Sequence, residues 1–361
     1  MDLIPLSFYT AFFYHVMLFF VLLTLAHGLL YDLYAQQSIK FAKFAGWFLL
    51  IFVTWYMGTR PISSQYFADM GAYAETYIRA QRGAEIVVEH DFIFNYFLLF
   101  CSKIMSVQMF FLLIDMIYIV PMFLFARKYS KGYWYYILLI LMCTMSFWSY
   151  GTNGIRNGIA TSLFLLALVF YDKKIIMYGI MALCFGIHNS MMIAIAAFLA
   201  AAQWKNPKLY MGIWLGAIPL SLAFGSVWSS LFMSLGFDDQ RVTGYLGSEQ
   251  EEGAFRYSGF RWDFLFYSSF AVFAGWYFIF KKKIEDKFYI HLFGTYMIAN
   301  AFWILVIRAN FSNRFAYLSW FLMGIVIAYP MVKYKMWADQ HKILTVTIFI
   351  YFLFTYLLYF R

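Results

Sequence analysis

The chain has 361 residues, of which 64% are hydrophobic, 24% aromatic and only 12% charged, with a formal net charge of +9. Soluble domains carry about 25% charged and about 45–50% apolar residues. The composition therefore excludes a water-soluble enzyme, a disordered chain and a disulfide scaffold, and calls for lipid around most of the chain.

A membrane crossing takes about 20 apolar residues. Crossings are predicted near 7–31, 44–58, 107–126, 133–151, 155–171, 175–187, 189–203, 209–232, 263–280, 288–307, 315–332 and 343–360. The first run is too long for the apolar core of a cleavable signal and lacks a small-residue cleavage site. The stretch 91–105 is apolar but short and carries Lys103, which fits a re-entrant or interfacial helix. The expected fold is an all-α, polytopic bundle of about 11–13 transmembrane helices forming one domain over 1–361. Its connections are short on one side, and longer loops at about 59–106 and 236–262 lie on the other. Cys101, Cys143 and Cys184 lie in or beside apolar runs with no metal-ligand spacing.

Taken in alternation, the loops 32–43, 127–132, 172–174, 204–208, 281–287 and 333–342 hold fifteen of the sixteen lysines. The positive-inside rule makes that side cytoplasmic. The opposite side holds ten of the eleven arginines: Arg60, Arg79, Arg82, Arg156, Arg241, Arg256, Arg261, Arg308, Arg314 and Arg361. Guanidinium is a planar fork that grips phosphate or carboxylate through two bonds at once, whereas ammonium is a point charge on a flexible stem. Arginines gathered outside therefore point to an anion site. The plain alternative is that insertion bias keeps lysine inside while the arginines pair with carboxylates of the outer loops.

Four segments carry candidate chemistry. In 58–77, Arg60 leaves a crossing just before the helix-ending Pro61, and Asp69, Tyr73 and Tyr77 recur at spacing four on one helical face. An acid and two phenols beside an arginine suit a sugar or a pyrophosphate; an interfacial helix with belt tyrosines is the simpler reading. In GTNGIRNGIA, Gly151–Ala160, glycines and asparagines break the helix and Arg156 enters the next one. A cation beside exposed helix N–H groups favours an anion. In FGIHNS, His188 sits between two short apolar runs at the level expected for Arg156, where histidine suits proton transfer; a buried, backbone-bonded histidine is the ordinary outcome. In 306–320, Arg308 and Arg314 flank a turn, and Arg314 and Tyr317 share a face; snorkelling to lipid headgroups is the competing account. His90, Glu89 and Asp91 stand at an outer re-entry point as further contributors. Asp115, alone inside a crossing, is expected to be neutral or paired within the bundle. The loop 236–262 reads as a flap over a site.

The chain has no phosphate-binding loop, nucleophile elbow, HExxH pair, metal-spaced His/Cys cluster or DxD pair. No metal, nucleotide or other cofactor is implied, and dispersed arginines among crossings do not suit nucleic acid.

The order Arg60, Asp69, Tyr73, then GTNGIRNGIA with Arg156, then IHNS with His188, then Arg308, Arg314 and Tyr317 resembles the EpsG family of Wzy-like bacterial polysaccharide polymerases over roughly 50–330. The family's first outer loop usually has an Arg-x-x-x-Asp-Tyr type segment, which RPISSQYFADMGAY stretches. The resemblance implies a GT-C-like bundle in the bacterial cytoplasmic membrane with its active site facing outward. It implies transfer of a growing glycan from undecaprenyl pyrophosphate to the non-reducing end of a lipid-linked repeat unit. The substrate is then an undecaprenyl-pyrophosphate-linked oligosaccharide; membrane lipid surrounds the enzyme, and a chain-length regulator and a flippase act beside it. In that scheme Arg60, Arg156, Arg308 and Arg314 attend the pyrophosphate, Tyr73 and Tyr317 shape the sugar site, and Asp69 or His188 serves as catalytic base. A lipid-linked oligosaccharide flippase or an O-antigen ligase-like transferase would share the arginine logic.

Overall fold

The computed structural model describes residues 4–86, 88, 90–234, 259–309 and 312–361. Most of the 236–262 loop, with Arg241 and Arg256, lies outside the described residues. Among those described, all regular structure is helical. Among the described residues eight helical stretches are long and apolar enough to cross a membrane: Leu6–Leu30, Gln36–Gly58, Val107–Met142, Pro207–Gly225, Trp262–Lys281, Lys287–Leu305, Asn313–Lys333 and Gln340–Phe360. Four shorter apolar helices accompany them: Phe92–Ser102, Ile155–Val169, Lys174–Ile187 and Met191–Gln203. The chain groups into two compact units, Met1–His188 with Met331–Arg361, and Asn189–Pro330.

The first unit contains α1 (Leu6–Leu30), α2 (Gln36–Gly58), α3 (Ser64–Phe67), α4 (Asp69–Gln81), α5 (Phe92–Ser102), α6 (Val107–Ser130), α7 (Trp134–Met142), α8 (Met145–Thr152), α9 (Ile155–Val169) and α10 (Lys174–Ile187). The C-terminal helix returns to pack on α1. Tyr9 and Tyr56 clasp α1 to α2: each hydroxyl donates to the other's carbonyl, at 2.6 and 2.8 Å, and their rings stack 4.2 Å apart.

The helices differ from the sequence expectation in two ways. The run 133–151 is not one crossing but α7 and α8, broken at Cys143–Thr144. The runs read as crossings at 155–171, 175–187 and 189–203 form helices of only 15, 14 and 13 residues. At 1.5 Å per residue these reach about 20–22 Å, short of the roughly 30 Å hydrocarbon core. The reason is local. Asn153 and Gly154 stop α8 before α9, and His188 leaves the helical region with φ −153°. The 59–106 loop is also largely helical, with α4 carrying Asp69, Tyr73 and Tyr77 on one element as their spacing predicts. Tyr77 is its buried anchor: the hydroxyl donates to the Cys101 and Met105 carbonyls at 2.8 and 3.0 Å, and burial pushes the phenol up to about 12.

The second unit begins with α11 (Met191–Gln203) and continues with α12 (Pro207–Ser234), bent at Phe224, α13 (Trp262–Trp276), α14 (Lys287–Leu305) and α15 (Asn313–Trp320). The helix α16 (Met323–Lys333) then leads back to the first unit's α17 (Gln340–Phe360). Polar side chains tie the unit's centre. Asn300 of α14 accepts from Trp214 Nε1 at 2.7 Å and donates to Ser268 and Ser319 at 3.2 and 2.9 Å; Trp320 Nε1 reaches Ser268 at 2.7 Å. The cluster thus links α12, α13, α14 and α15 through bonds that water is not there to replace.

Close packing of α8 on α9 depends on a missing side chain. A Cβ at Gly158 would stand 2.5 Å from the Tyr150 carbonyl oxygen, which is backbone and cannot rotate away. Gly158→Ala is expected to cost about 1–3 kcal/mol, read as a lowered unfolding temperature of the detergent-solubilised protein; an unchanged temperature would show that α8 and α9 part freely.

Candidate functional site

In the first unit, three separate stretches meet at one carboxylate. Asp91 caps the N-terminal end of α5 in the left-handed region, φ 51° and ψ 45°, a conformation that aspartate tolerates better than most residues. Its side chain is 5% exposed. Arg156, on the first turn of α9, forms an ion pair with its Oδ2 through Nη1. His188, just past the end of α10, brings Nδ1 to the same oxygen at 3.0 Å. Arg156 Nε donates to the Tyr73 hydroxyl at 2.9 Å, which adds α4 to the group. The Arg156 and His188 side chains are 19% and 14% exposed, so the group is sheltered yet reachable.

The short helices explain the convergence. Helices α9 and α10 form a hairpin joined at 170–173, so the start of one and the end of the other lie at the same end of the pair. That end carries Arg156 on one helix and His188 on the other.

The hydrogen-bond chemistry fixes the histidine's orientation. An ionised carboxylate only accepts, so the Nδ1 facing Asp91 carries the hydrogen. In the neutral tautomer this bond leaves the lone pair on Nε2, the arrangement of a base oriented by a carboxylate. Arg156 offsets the charge of Asp91, and Asp91 in turn offsets that of Arg156. The guanidinium is therefore no spare cation awaiting an anion, as the sequence alone had it.

Arg60 differs more sharply from its expected place. It is fully buried, and Nη1 pairs with the equally buried Asp115 of α6 at 2.5 Å. The same nitrogen reaches the Met57 carbonyl at 2.5 Å, and Nη2 the Thr152 carbonyl at 3.4 Å. Arg60 is thus a core residue whose charge is already matched by Asp115, an acid that needs a counter-charge at that depth. Asp115 is accordingly the paired acid that was one of its two expected states.

Asp69 stands at the start of α4, where its backbone N–H donates to Asn153 Oδ1 at 2.9 Å. It is linked to the turn before Arg156 through that amide. Arg308, Arg314 and Tyr317 belong to the second unit. Arg308 is exposed in the turn after α14, with its Cδ 3.1 Å from where a Cβ at Gly225 would stand. Arg314 is half-buried on the first turn of α15, and the buried Tyr317 accepts from Asn313 Nδ2 at 3.2 Å through its hydroxyl. The structure thus brings together Tyr73, Arg156 and His188, ties Asp69 to the neighbouring turn, and encloses Arg60 beneath that same turn, on Thr152 O and Asp115.

Asp91 is the residue that the sequence underweighted. Its signal was an acid immediately before an 11-residue apolar helix, which reads equally well as an ordinary helix start. Among the described residues no group of three or more His, Cys, Asp or Glu is placed to hold a metal ion.

The EpsG family model matches residues 47–361. No curated protein and no solved structure matches the chain.

Removing the shared carboxylate leaves Arg156 without its counter-charge. Asp91→Ala is expected to cost about 2 kcal/mol, after discounting a buried pair for the solvent that reaches Arg156. Denaturation of the purified protein measures it; wild-type stability in this variant would mean that Asp91 does not hold the three stretches together.

Proposed function

The chain belongs to the EpsG family, and from that premise we propose that it polymerises a polysaccharide at the outer face of the cytoplasmic membrane. The donor is a growing glycan on undecaprenyl pyrophosphate, and the acceptor is a lipid-linked repeat unit. The observation that carries this reading is the Asp91–His188 contact beside Arg156, formed where two short helices end. Non-helical backbone at membrane depth is tolerated where it is buried in protein or lines a cavity. A polar group at such a break is well suited to a lipid-borne substrate.

The reaction balances simply. His188 Nε2 takes the proton of an acceptor sugar hydroxyl while that oxygen attacks the anomeric carbon of the donor. The bond from the anomeric carbon to the diphosphate oxygen breaks, and undecaprenyl diphosphate leaves with the electron pair. A diphosphate is a weak base, so its departure needs charge stabilisation rather than a general acid. Asp91 holds the imidazole in its proton-accepting form. Arg156 and Tyr73 close the group toward the sugar. In the second unit, taken by itself, the exposed Arg308 and the half-buried Arg314 offer guanidinium groups suited to an anion, and Tyr317 lies one turn from Arg314. His188 is preferred over Asp69 as base because a carboxylate orients it.

The driving force resides in the anomeric diphosphate bond, so no nucleotide is required. The purified protein is to be reconstituted in liposomes with one lipid-linked repeat unit. Lengthening of the glycan supports the polymerase; transfer to a different acceptor makes the chain a ligase, and translocation without a new bond makes it a flippase. His188→Ala is expected to slow lengthening about 10²–10⁴-fold, and Arg156→Ala to shorten the polymer on gels. Full-length polymer from both variants, inserted normally, overturns the assignment.

A further inference from the structure

The buried Arg60–Asp115 pair is an expensive feature with no contact to the Asp91 group among the bonds described above. Its surroundings indicate what it does. Arg60 follows the end of α2, and Asp115 is the ninth residue of α6, about 12 Å along that helix. The guanidinium joins three segments: α2 through the Met57 carbonyl, α6 through Asp115, and the 151–156 turn through the Thr152 carbonyl. Gln108 of α6 holds the same corner by donating to the Gly58 and Arg60 carbonyls at 3.3 and 3.1 Å. Phe111 and Phe67 line the guanidinium at 5.6 and 6.0 Å from their ring centroids.

Stability alone is a poor account of this arrangement. Arg60 Nε and Asp115 Oδ1 are both buried without a hydrogen-bond partner. Replacing such a pair by well-packed hydrocarbon is often neutral or stabilising. What hydrocarbon cannot reproduce is a donor for Thr152 O, whose residue ends α8. Thr152 is followed by Asn153, which receives the Asp69 amide, and then, after Gly154 and Ile155, by Arg156. The turn is also pressed close from below. A Cβ at Gly151 would stand 2.0 Å from Met57 Cε and 3.0 Å from Tyr118 Cε1.

We propose that Arg60 and Asp115 are positioning residues: they fix the 151–156 turn against α2 and α6, and so set where Arg156 and its Asp91–His188 partners stand. The pair itself touches no substrate. Arg60 acts through Thr152 O, and Asp115 acts by holding the guanidinium in the direction that reaches it. A lysine at 60 keeps a charge for Asp115 but has no fork with which to bridge several acceptors.

The test uses the full-length protein, with Arg60→Met/Asp115→Leu as an apolar replacement of the pair and Arg60→Lys as the conservative variant. Backbone amide exchange of 151–157 is expected to rise about tenfold in the double variant while exchange within 160–168 stays at the wild-type level. General destabilisation would raise both. The kinetic arm rests on the polymerase reading: kcat for lengthening is expected to fall about a hundredfold, with KM for the lipid-linked unit changed less than about threefold. Arg60→Lys is expected to fall between wild type and the double variant in both measurements. Wild-type exchange in 151–157 of the double variant overturns the proposal whatever the kinetics. If the double variant fails to accumulate, wild-type exchange and kcat in Arg60→Lys overturn it instead. Absence of lengthening by the wild-type protein counts against the polymerase reading alone, and the exchange result still decides the positioning role.

Discussion

A carbonyl or amide buried inside a packed helical core has little water to bond, so each break in a buried helix must be served by the protein itself. This requirement governs the first unit. At the Cys143–Thr144 break, Thr144 Oγ1 donates to the Ile140 carbonyl at 3.3 Å and receives the Tyr351 hydroxyl at 3.0 Å. At the break before α9, Arg60 serves Thr152 O and Asn153 serves the Asp69 amide. At the end of α10, the chain leaves the helix at His188 beside Asp91. Polar residues are costly in such surroundings, and these are concentrated where irregular backbone needs them or where they pair with one another.

The two arginines of this region show how depth decides the use of a charge. Arg60 is fully enclosed and its cation is spent on Asp115 and on carbonyls. Arg156 is partly exposed and shares its carboxylate with a histidine. The first is in a position to hold shape, the second to meet a ligand. Because Asp91 offsets Arg156, a diphosphate arriving at this group would meet a nearly neutral cluster rather than a bare cation. That balance favours assigning proton transfer and sugar contact to the Asp91 group.

The second unit is organised around neutral polar bonds. Asn300, Ser268, Ser319, Trp214 and Trp320 tie four helices together without an ionised group. Such neutral bonds avoid the desolvation cost of a buried charge while still giving the helices direction. The unit carries Arg308 in the turn after α14 and Arg314 on the first turn of α15, next to the helices these bonds tie.

Composition and apolar run length were enough to establish a helical membrane protein, because lipid admits few other ways to satisfy a backbone. Residue spacing also placed Asp69, Tyr73 and Tyr77 on one helix, and the motifs around Arg156 and His188 identified two members of the Asp91 group. The lengths of α9, α10 and α11 were less legible, since hydropathy runs on past the residue at which a helix actually stops. Partnership was not legible at all. Asp91 and His188 are 97 positions apart, Arg60 and Asp115 are 55 apart, and no local pattern says which acid meets which base. One-dimensional order fixed the kinds of charge available and the face of each helix that carried them. Only the packing of α2, α4, α5, α6, α9 and α10 selected the pairs, because an ion pair forms within a few ångströms and that proximity is a property of the folded chain.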